Sequence, residues 1–215
     1  MRKNWEVFAV TKFYTAFTKE IDDTEAAVAE ILEQLDPAKN VLKNTIGIVY
    51  FYYEFAETDA LQAIADALPF EVAGCVSTYI GANQQHGDVA ISVTMITSDD
   101  AHFSIKILED MEHKSKEQIT EEMLRICGEL SAVEKPKLIM PLIAAVPHFS
   151  GDDFVSVSNA LPESIPFFGT VAFNMETTEG NHFVVEKGKI STSMITFVAL
   201  RRHTSEIPRY LILCL

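Results

Sequence analysis

The sequence has little cysteine and lacks any apolar run long enough to cross a membrane. Its three cysteines, Cys75, Cys127 and Cys214, are far apart and surrounded by apolar residues. This pattern favours reduced, buried thiols in the cytoplasm over the disulfide framework of a secreted protein. No window reaches the roughly 20 apolar residues of a membrane span, and the apolar stretch near the N-terminus is too short for a signal peptide. We therefore expect a cytoplasmic chain that makes no membrane contact through this segment.

Catalytic and cofactor-binding motifs are also missing. The chain contains no GxxxxGKS/T, GxGxxG, HExxH, GxSxG or CxxC pattern, and these are the specific signatures of phosphate, dinucleotide, zinc, nucleophile and redox chemistry. The six histidines show no i, i+4 pairing and no cysteine partner at zinc spacing. We expect no metal, no cofactor and no enzymatic activity.

Positive charge is scarce. The chain has 17 Lys and Arg against 31 Asp and Glu, a formal net charge of −14. Affinity for nucleic acid depends on basic side chains that neutralise phosphates, so we exclude nucleic acid as a partner. Hydrophobic residues make up 48% of the chain and charged residues 22%, which is the ordinary mix of a folded globular protein.

Two similar helix patterns indicate an internal repeat. DALQAIADALP runs from Asp59 to Pro69, and DDFVSVSNALP runs from Asp152 to Pro162. Each places apolar residues at i, i+3 and i+7, the stripe of a helix that packs one face on a core. An offset of about 93 to 96 residues relates these segments and others upstream of them. Such a fixed offset is the sequence signature of a duplicated unit.

The two halves have the same predicted order of elements. Helical stripes that begin at Thr24 and Thr120 precede the apolar runs TIGIVYFYY and LIMPLIAAV, which have the length of strands buried on both faces. EVAGCVS and PFFGTVA follow the second helix of each half, and VAISVTMI and ISTSMITFVAL come next. WEVFAV opens the first unit, while FSIKIL and YLILCL close the two units. We predict a first repeat over residues 1–101 and a second over residues 102–215, packed as one body.

This order of elements predicts an α/β (mixed α+β) fold. Strand-helix-strand steps favour parallel pairing, and consecutive strands favour antiparallel additions. We expect duplicated strand-helix-strand-helix-strand-strand units that form mixed sheets with a pseudo-two-fold relation. The chain stops on the strand-like run LILCL, which predicts a fragment of a longer protein.

With these residues in place, the sequence resembles the FIST N-terminal domain family, named for F-box and intracellular signal transduction proteins. The resemblance rests on DDTEAAVAEIL, IGIVYFYY, DALQAIADALP, VAGCVS and ALPESIPFFGTVA and extends over nearly the whole chain. It implies a bacterial sensory input domain that binds a small ligand, with amino acids among the suggested ligands. It also implies a C-terminal FIST domain and a signalling output domain as partners in the parent chain, and it brings no catalytic residues.

Two loops after predicted strands are candidate ligand sites, because ligands of open α/β sheets bind beyond the carboxyl ends of parallel strands. The first loop contains Glu54 and Asp59, and the second contains His148, Ser150 and Asp152. Carboxylates there suit an ammonium group, and free N–H groups at a helix start suit a carboxylate. The alternative is that Asp59, Ser150 and Asp152 are helix N-caps.

Two small-residue turns form the second candidate site. The first contains Gly74, Cys75 and Ser77, and the second contains Gly169 and Thr170. Glycine lets backbone donors approach a ligand, and Ser77 or Thr170 adds a hydroxyl. The alternative is that each glycine marks a bulge or tight packing. Cys75 is a nucleophile only where a histidine or a helix start lowers its pKa, and a small buried cysteine is the commoner case.

Three functions stay open at this stage. The leading one is a binding module in which a small ligand biases an output element. The second is a hydrolase that uses a cysteine or carboxylate in a site between the repeats. The third is a protein-interaction scaffold, which predicts an exposed apolar patch and no enclosed pocket.

Overall fold

The structure is a computed structural model that describes residues 10–161, 165–172, 184–186 and 189–202. Within them, no helix has both the length and the hydropathy that are needed to cross a membrane. The helices are α1 (Thr24–Leu35), α2 (Pro37–Asn40), α3 (Ala60–Ala67), α4 (Lys116–Val133) and α5 (Gly151–Asn159), with short 3₁₀ helices at Tyr53–Glu57 and Met111–His113. The strands are β1 (Thr11–Thr18), β2 (Asn44–Phe51), β3 (Glu71–Val76), β4 (Ile80–Ala82), β5 (Gln85–Gly87), β6 (Ile91–Ser98), β7 (Ala101–Leu108), β8 (Leu138–Ile143), β9 (Thr170–Val171), β10 (Val184–Glu186), β11 (Lys189–Ser191) and β12 (Ile195–Arg202).

The apolar stripes predicted the four longer helices correctly. α1 begins after Asp23, whose carboxylate accepts a hydrogen bond from the Ala26 N–H at 3.0 Å. α4 begins with a capping box formed by Ser115 and Gln118, which satisfies N–H groups that have no partner inside the helix. The predicted stripe residues of α3, α4 and α5 face the core.

The strands form two large mixed sheets. The first has the order β1-β6-β2-β3-β10-β11 and the second has the order β7-β12-β8-β9. In both, a helix connects a parallel pair, β2 with β3 and β8 with β9, while an antiparallel strand lies on the other side of the pair. The predicted α/β class with mixed sheets is confirmed.

The four strands of the second sheet match four strands of the first in order and direction. β1-β6-β2-β3 corresponds to β7-β12-β8-β9, and within each set the chain visits the strands in the same sequence. The hairpin of β10 and β11 departs from this scheme, because β10 comes from the second half and pairs with β3 of the first sheet. The duplication, its pseudo-two-fold axis and the repeat boundaries stay predictions.

The two sheets share a hydrophobic core. Alternate residues of the second sheet, among them Met140, Leu142, Met194 and Val198, are buried in the cluster that contains the first sheet, α1 and α3. The residues between them, such as Ile195 and Phe197, are buried against α4 and α5. The sheets therefore lie face to face, and α4 and α5 cover the outer face of the second sheet.

Several strand predictions need correction at their ends. The strand-like WEVFAV lies outside the described residues except for Val10, and the sequence analysis missed the strand at Thr11–Thr18. FSIKIL was predicted to close the first unit, but β7 is instead an edge strand of the second sheet, paired with β12. YLILCL, with Cys214, also lies outside the described residues.

The parallel pairs meet at two glycines in matching places. Gly74 is the register partner of Val49, and Gly169 precedes Thr170, the partner of Leu142. A Cβ atom at Gly74 would overlap the Val49 carbonyl oxygen, and one at Gly169 would overlap the Pro141 carbonyl oxygen. Both glycines thus allow neighbouring strands to approach closely. Tight packing of this kind is the alternative to a ligand-binding role that the sequence left open for them.

Arg201, on strand β12, caps the C-terminal end of α4. Its Nε donates to the carbonyl oxygens of Leu130 and Glu134 at 3.2 and 3.0 Å, and Nη2 also donates to Leu130. Nη1 donates to the Ser104 hydroxyl at 2.7 Å. The last carbonyls of a helix lack partners in the helix and carry partial negative charge. A single guanidinium therefore satisfies the Leu130 carbonyl and the carbonyl of the C-cap residue Glu134, and it links α4 to the second sheet.

We expect Gly74→Ala and Gly169→Ala each to lower the free energy of unfolding by about 2 kcal/mol, because the added methyl overlaps backbone and forces the strands apart. Gly128→Ala is the matched control, since its Cβ would meet no atom within 4 Å and it lies inside α4. That control should gain roughly 0.5 to 1 kcal/mol. Urea denaturation of the three variants checks this, and equal stability of all three would contradict the close approach.

Arg201→Ala should destabilise the protein by about 3 kcal/mol, because hydrogen bonds to a charged group are lost and helix carbonyls are left unsatisfied. Arg201→Lys should recover only part of this loss, since an ammonium lacks the planar fork. Arg125→Ala is the control, because Arg125 is exposed and pairs with Glu122 and Glu129 along α4. It should change stability by less than about 0.5 kcal/mol. Thermal unfolding measures all three, and similar losses for Arg201→Ala and Arg125→Ala would refute the capping role.

Candidate functional site

A cleft of about 320 Å³ lies between the two sheets, near the carboxyl ends of β2 and β3. The first sheet, the second sheet and the segment after β3 all contribute to it. Its lining consists of Tyr50, Ser77, Tyr79, Ile80, Gly81, Ser92, Thr94 and Thr170. Six of these eight side chains carry a hydroxyl, so the cleft is polar although it lies beside the main apolar core.

Three of the hydroxyls lie together on one face of the first sheet. Tyr50 and Ser92 are register partners on β2 and β6, and Thr94 is two residues beyond Ser92 and therefore on the same face. Ser92 is 5% exposed. Among the described residues, none of these three hydroxyls makes a hydrogen bond. None of their oxygens belongs to the sealed, unpaired side-chain atoms of the described chain, so they are open to the cleft and available to a ligand there.

The Tyr50 phenol is a neutral group throughout the physiological range. Burial raises the pKa of Tyr50 to about 12, and the neighbouring Cys75 thiol adds to this rise. A neutral phenol both donates and accepts hydrogen bonds. It can therefore pair with either kind of polar atom on a ligand.

Ser77 and Thr170, predicted from the two small-residue turns, do meet in this cleft. Ser77 Oγ donates to the Tyr79 carbonyl at 3.2 Å, and Thr170 Oγ1 donates to the Val171 carbonyl at 3.1 Å. Both hydroxyls keep acceptor capacity for a ligand. Thr170 is the contribution of the second sheet, so a ligand here would contact both sheets.

The backbone donors predicted for these turns are occupied at the strand ends. The Ser77 N–H donates to the Phe51 carbonyl at 2.9 Å, and the Ala172 N–H donates to the Ile143 carbonyl at 2.7 Å. These bonds continue the parallel pairing beyond β3 and β9. Gly74 and Gly169 therefore serve strand approach, and the side-chain hydroxyls are the groups that face the cleft.

Cys75 is fully buried beside this cleft. Burial raises the pKa of its thiol to about 12, which disfavours the thiolate that a nucleophile requires. His148, one possible activator, has its Nε2 3.0 Å from the Met111 carbonyl oxygen. His86, the other, stacks on the Tyr79 ring with 5.7 Å between the ring centroids.

The first acidic loop does not bring its two carboxylates into the cleft lining. Glu54 is exposed in a 3₁₀ helix, and its carboxylate is 3.3 Å from the Tyr53 hydroxyl. Asp59 stands at the N-cap of α3, but its side chain makes no capping bond. The Thr58 hydroxyl instead accepts from the Ala60 N–H at 3.3 Å.

The second loop is organised around the start of α5. Ser150 and Asp153 form a capping box, so Ser150 is the N-cap and Asp152 is in the first turn. Asp152, Gly169 and Thr170 contribute to a second cleft of about 450 Å³ between α5, β8 and β9. Most of its other walls are apolar, with Ile143, Phe154, Phe167 and Val171 among them.

One group of side chains in the described chain has ligand atoms close enough together for a metal ion. Asp110, Glu112 and His113 are all exposed at the short helix before α4. His113 Nδ1 is 2.5 Å from the Asp110 carboxylate, so these groups already pair with each other. Exposed carboxylates of this kind are commonly solvated, and the cluster gives no evidence of a bound cation.

Sequence reasoning missed Tyr50, Tyr79, Ser92 and Thr94. Tyr50 belongs to an apolar run that reads as core, and Ser92 and Thr94 alternate with apolar residues in ISVTMI as on any half-exposed strand. No sequence signal distinguishes them, because nothing in the sequence shows that β6 lies between β1 and β2 and faces the second sheet. Only the sheet order makes its hydroxyls unusual.

Comparison with known proteins identifies the family of this chain. No curated protein matches the chain. The family model of the FIST N domain matches residues 45–208. This range begins at β2, so the early DDTEAAVAEIL helix lies outside it, whereas the resemblance was expected to extend over nearly the whole chain. The match includes the second sheet, the first sheet apart from β1, and every residue that lines the inter-sheet cleft. The chain belongs to the FIST N domain family, whose members are sensory domains of signal transduction.

Proposed function

We propose that this chain is the sensory input domain of a bacterial, cytoplasmic signalling protein and that it binds a small polar metabolite in the inter-sheet cleft. The observation that carries the proposal is the group of hydroxyls on Tyr50, Ser92 and Thr94, which face the cleft without partners among the described residues. Each of them can both donate and accept a hydrogen bond, so together they can hold a polar ligand in the cleft.

The position of the cleft suits signalling. A ligand that contacts Tyr50 and Ser92 on the first sheet and Thr170 on the second would bind best at one spacing of the two sheets. Ligands shift a conformational equilibrium only through different affinity for two states. A site that spans two sheets supplies this difference, which an output element can then read. Amino acids and related metabolites are the ligands that the family resemblance suggests, and they belong in any screen.

A protein-interaction role is the second candidate. Val155, Phe168 and Val171 are exposed at 53%, 43% and 40%, and Val155 and Val171 line the second, largely apolar cleft. Exposed apolar side chains grouped around a groove are typical of binding surfaces. This surface is distinct in its chemistry from the hydroxyl-lined cleft, so a partner there would be compatible with a ligand between the sheets.

A hydrolase is the weakest of the three. The Cys75 thiol is fully buried with its pKa raised to about 12. The described lining of the inter-sheet cleft includes no carboxylate and no imidazole to act as a general acid or base. A sensory family rather than an enzyme family also matches the chain.

The hydroxyl cluster gives a test that separates binding from folding. Tyr50→Phe and Ser92→Ala remove hydroxyls without partners, so each should leave the stability of the free protein unchanged or slightly raised. A thermal-shift screen with amino acids, sugars, amides and nucleobases should find a ligand that raises the melting temperature of the unaltered protein. At 100 times its Kd a ligand adds about 2.7 kcal/mol, or about 5 to 10 °C at this size.

Both variants should lose that shift. Tyr14→Phe is the control, because Tyr14 pairs with Met95, the neighbour of Thr94, and therefore lies on the opposite face of the sheet. It should keep the full shift. Binding that is unaffected by Tyr50→Phe and Ser92→Ala would place the ligand elsewhere and contradict the proposed site.

The buried thiol gives a test of the enzyme alternative. In a Cys214→Ala variant, Cys75 and Cys127 should react with iodoacetamide at pH 8 at least roughly 100-fold more slowly than in urea, because burial raises their pKa values to about 12 and about 11. Mass spectrometry of the alkylated peptides measures each site. Cys75 alkylation in the native protein at the rate of a free thiol would restore Cys75 as a candidate nucleophile.

A further inference from the structure

We infer that the inter-sheet cleft selects an uncharged polar molecule that carries both hydrogen-bond donors and acceptors, of the polyol, sugar or amide kind. This rests on the proposed function and deepens it by naming the chemical class of the ligand. Four features of the described chain support it: the lining, the occupied backbone donors, the net charge and the size of the cleft.

The lining has hydroxyls and no ionised group. Among the described residues it has no Lys, Arg, His, Asp or Glu, while Tyr50, Ser77, Ser92, Thr94 and Thr170 each carry a hydroxyl. An ionised group that leaves water is costly unless an opposite charge meets it. A ligand carboxylate or ammonium would find no such partner on these walls. An uncharged ligand loses much less on entering the cleft, because hydroxyls replace its bonds to water.

Two backbone donors at this place are already occupied. The N–H groups at the ends of β3 and β9, on Ser77 and Ala172, are bonded to Phe51 and Ile143 carbonyls. These two N–H groups are therefore not free to hold an anion. The net charge of −14 also lowers the local concentration of anions around the protein. A cation would likewise find no partner of opposite charge, since the described lining offers no carboxylate.

The size and the mouth of the cleft fit a compact molecule. Its volume of about 320 Å³ lies at the lower end of the range of small-molecule pockets, roughly 300 to 1,000 Å³. At the edge, the Tyr79 ring is 63% exposed and stacks on His86. An aromatic face of this kind packs against the C–H face of a sugar or the plane of an amide. The hairpin of β4 and β5 that carries His86 is held on β1, because the Asn83 side chain donates to the Thr15 carbonyl at 2.5 Å.

Matched ligand pairs on one skeleton test the class. The full chain is titrated by ligand-observed NMR with glucose, gluconate, glucosamine and glucose 6-phosphate, and with propionamide, propionate and propylamine. In each series the neutral member should bind at least tenfold more tightly than its charged relatives. Binding of the neutral member should fall at least tenfold in Tyr50→Phe and Ser92→Ala and stay unchanged in Tyr14→Phe. Unchanged melting temperatures confirm that the variants are folded.

Two results would overturn the inference in different ways. If a charged member binds more tightly than its neutral relative, and this binding depends on Tyr50, the ligand is an ion and the proposed sensory site still stands. If no member of either series shows binding that depends on Tyr50 or Ser92, the cleft is not a ligand site, and the proposed function falls with the inference.

Discussion

The face-to-face packing of two mixed sheets is the constraint on which the rest of this molecule depends. Each sheet places alternate side chains toward the other, so the space between them is filled by the side chains of both. Met140, Leu142 and Val198 of the second sheet are buried there in one cluster with residues of the first sheet. Where the facing residues of the first sheet are Tyr50, Ser92 and Thr94, the packing is incomplete and a polar cleft remains. These hydroxyls are open to the cleft and have no partner among the described residues, which is why we propose this end of the interface as the ligand site.

The two halves differ at the positions that matter for the cleft. In the first sheet, Ser92 pairs with Tyr50, and Tyr50 pairs with Cys75. In the second sheet, the same row reads Thr196, Leu142 and Thr170. Leucine in place of tyrosine contributes to the shared core, and the Thr196 hydroxyl is left buried without a partner among the described residues. A common topology thus carries one hydroxyl cluster rather than two.

The location of this cluster bears on the proposed sensory role. Because Thr170 belongs to the second sheet and Tyr50 to the first, any ligand held by both couples the relative position of the sheets to occupancy. The close strand contacts at Gly74 and Gly169 lie within the two parallel pairs, where a Cβ atom would overlap the neighbouring backbone.

The sequence by itself determined the elements of this protein: apolar stripes at helical spacing predicted α1, α3, α4 and α5, and unbroken apolar runs predicted β2 and β8. It also indicated Ser77, Gly169 and Thr170 as candidate site residues, because glycine and small polar residues mark unusual backbone sites. Only the tertiary structure decided that β7 joins the second sheet, that Ser77 and Thr170 meet, and that Tyr50, Ser92 and Thr94 face one cleft. Periodicity is a local property of the chain, whereas strand order and sheet stacking depend on contacts between residues far apart in sequence, which no local pattern records.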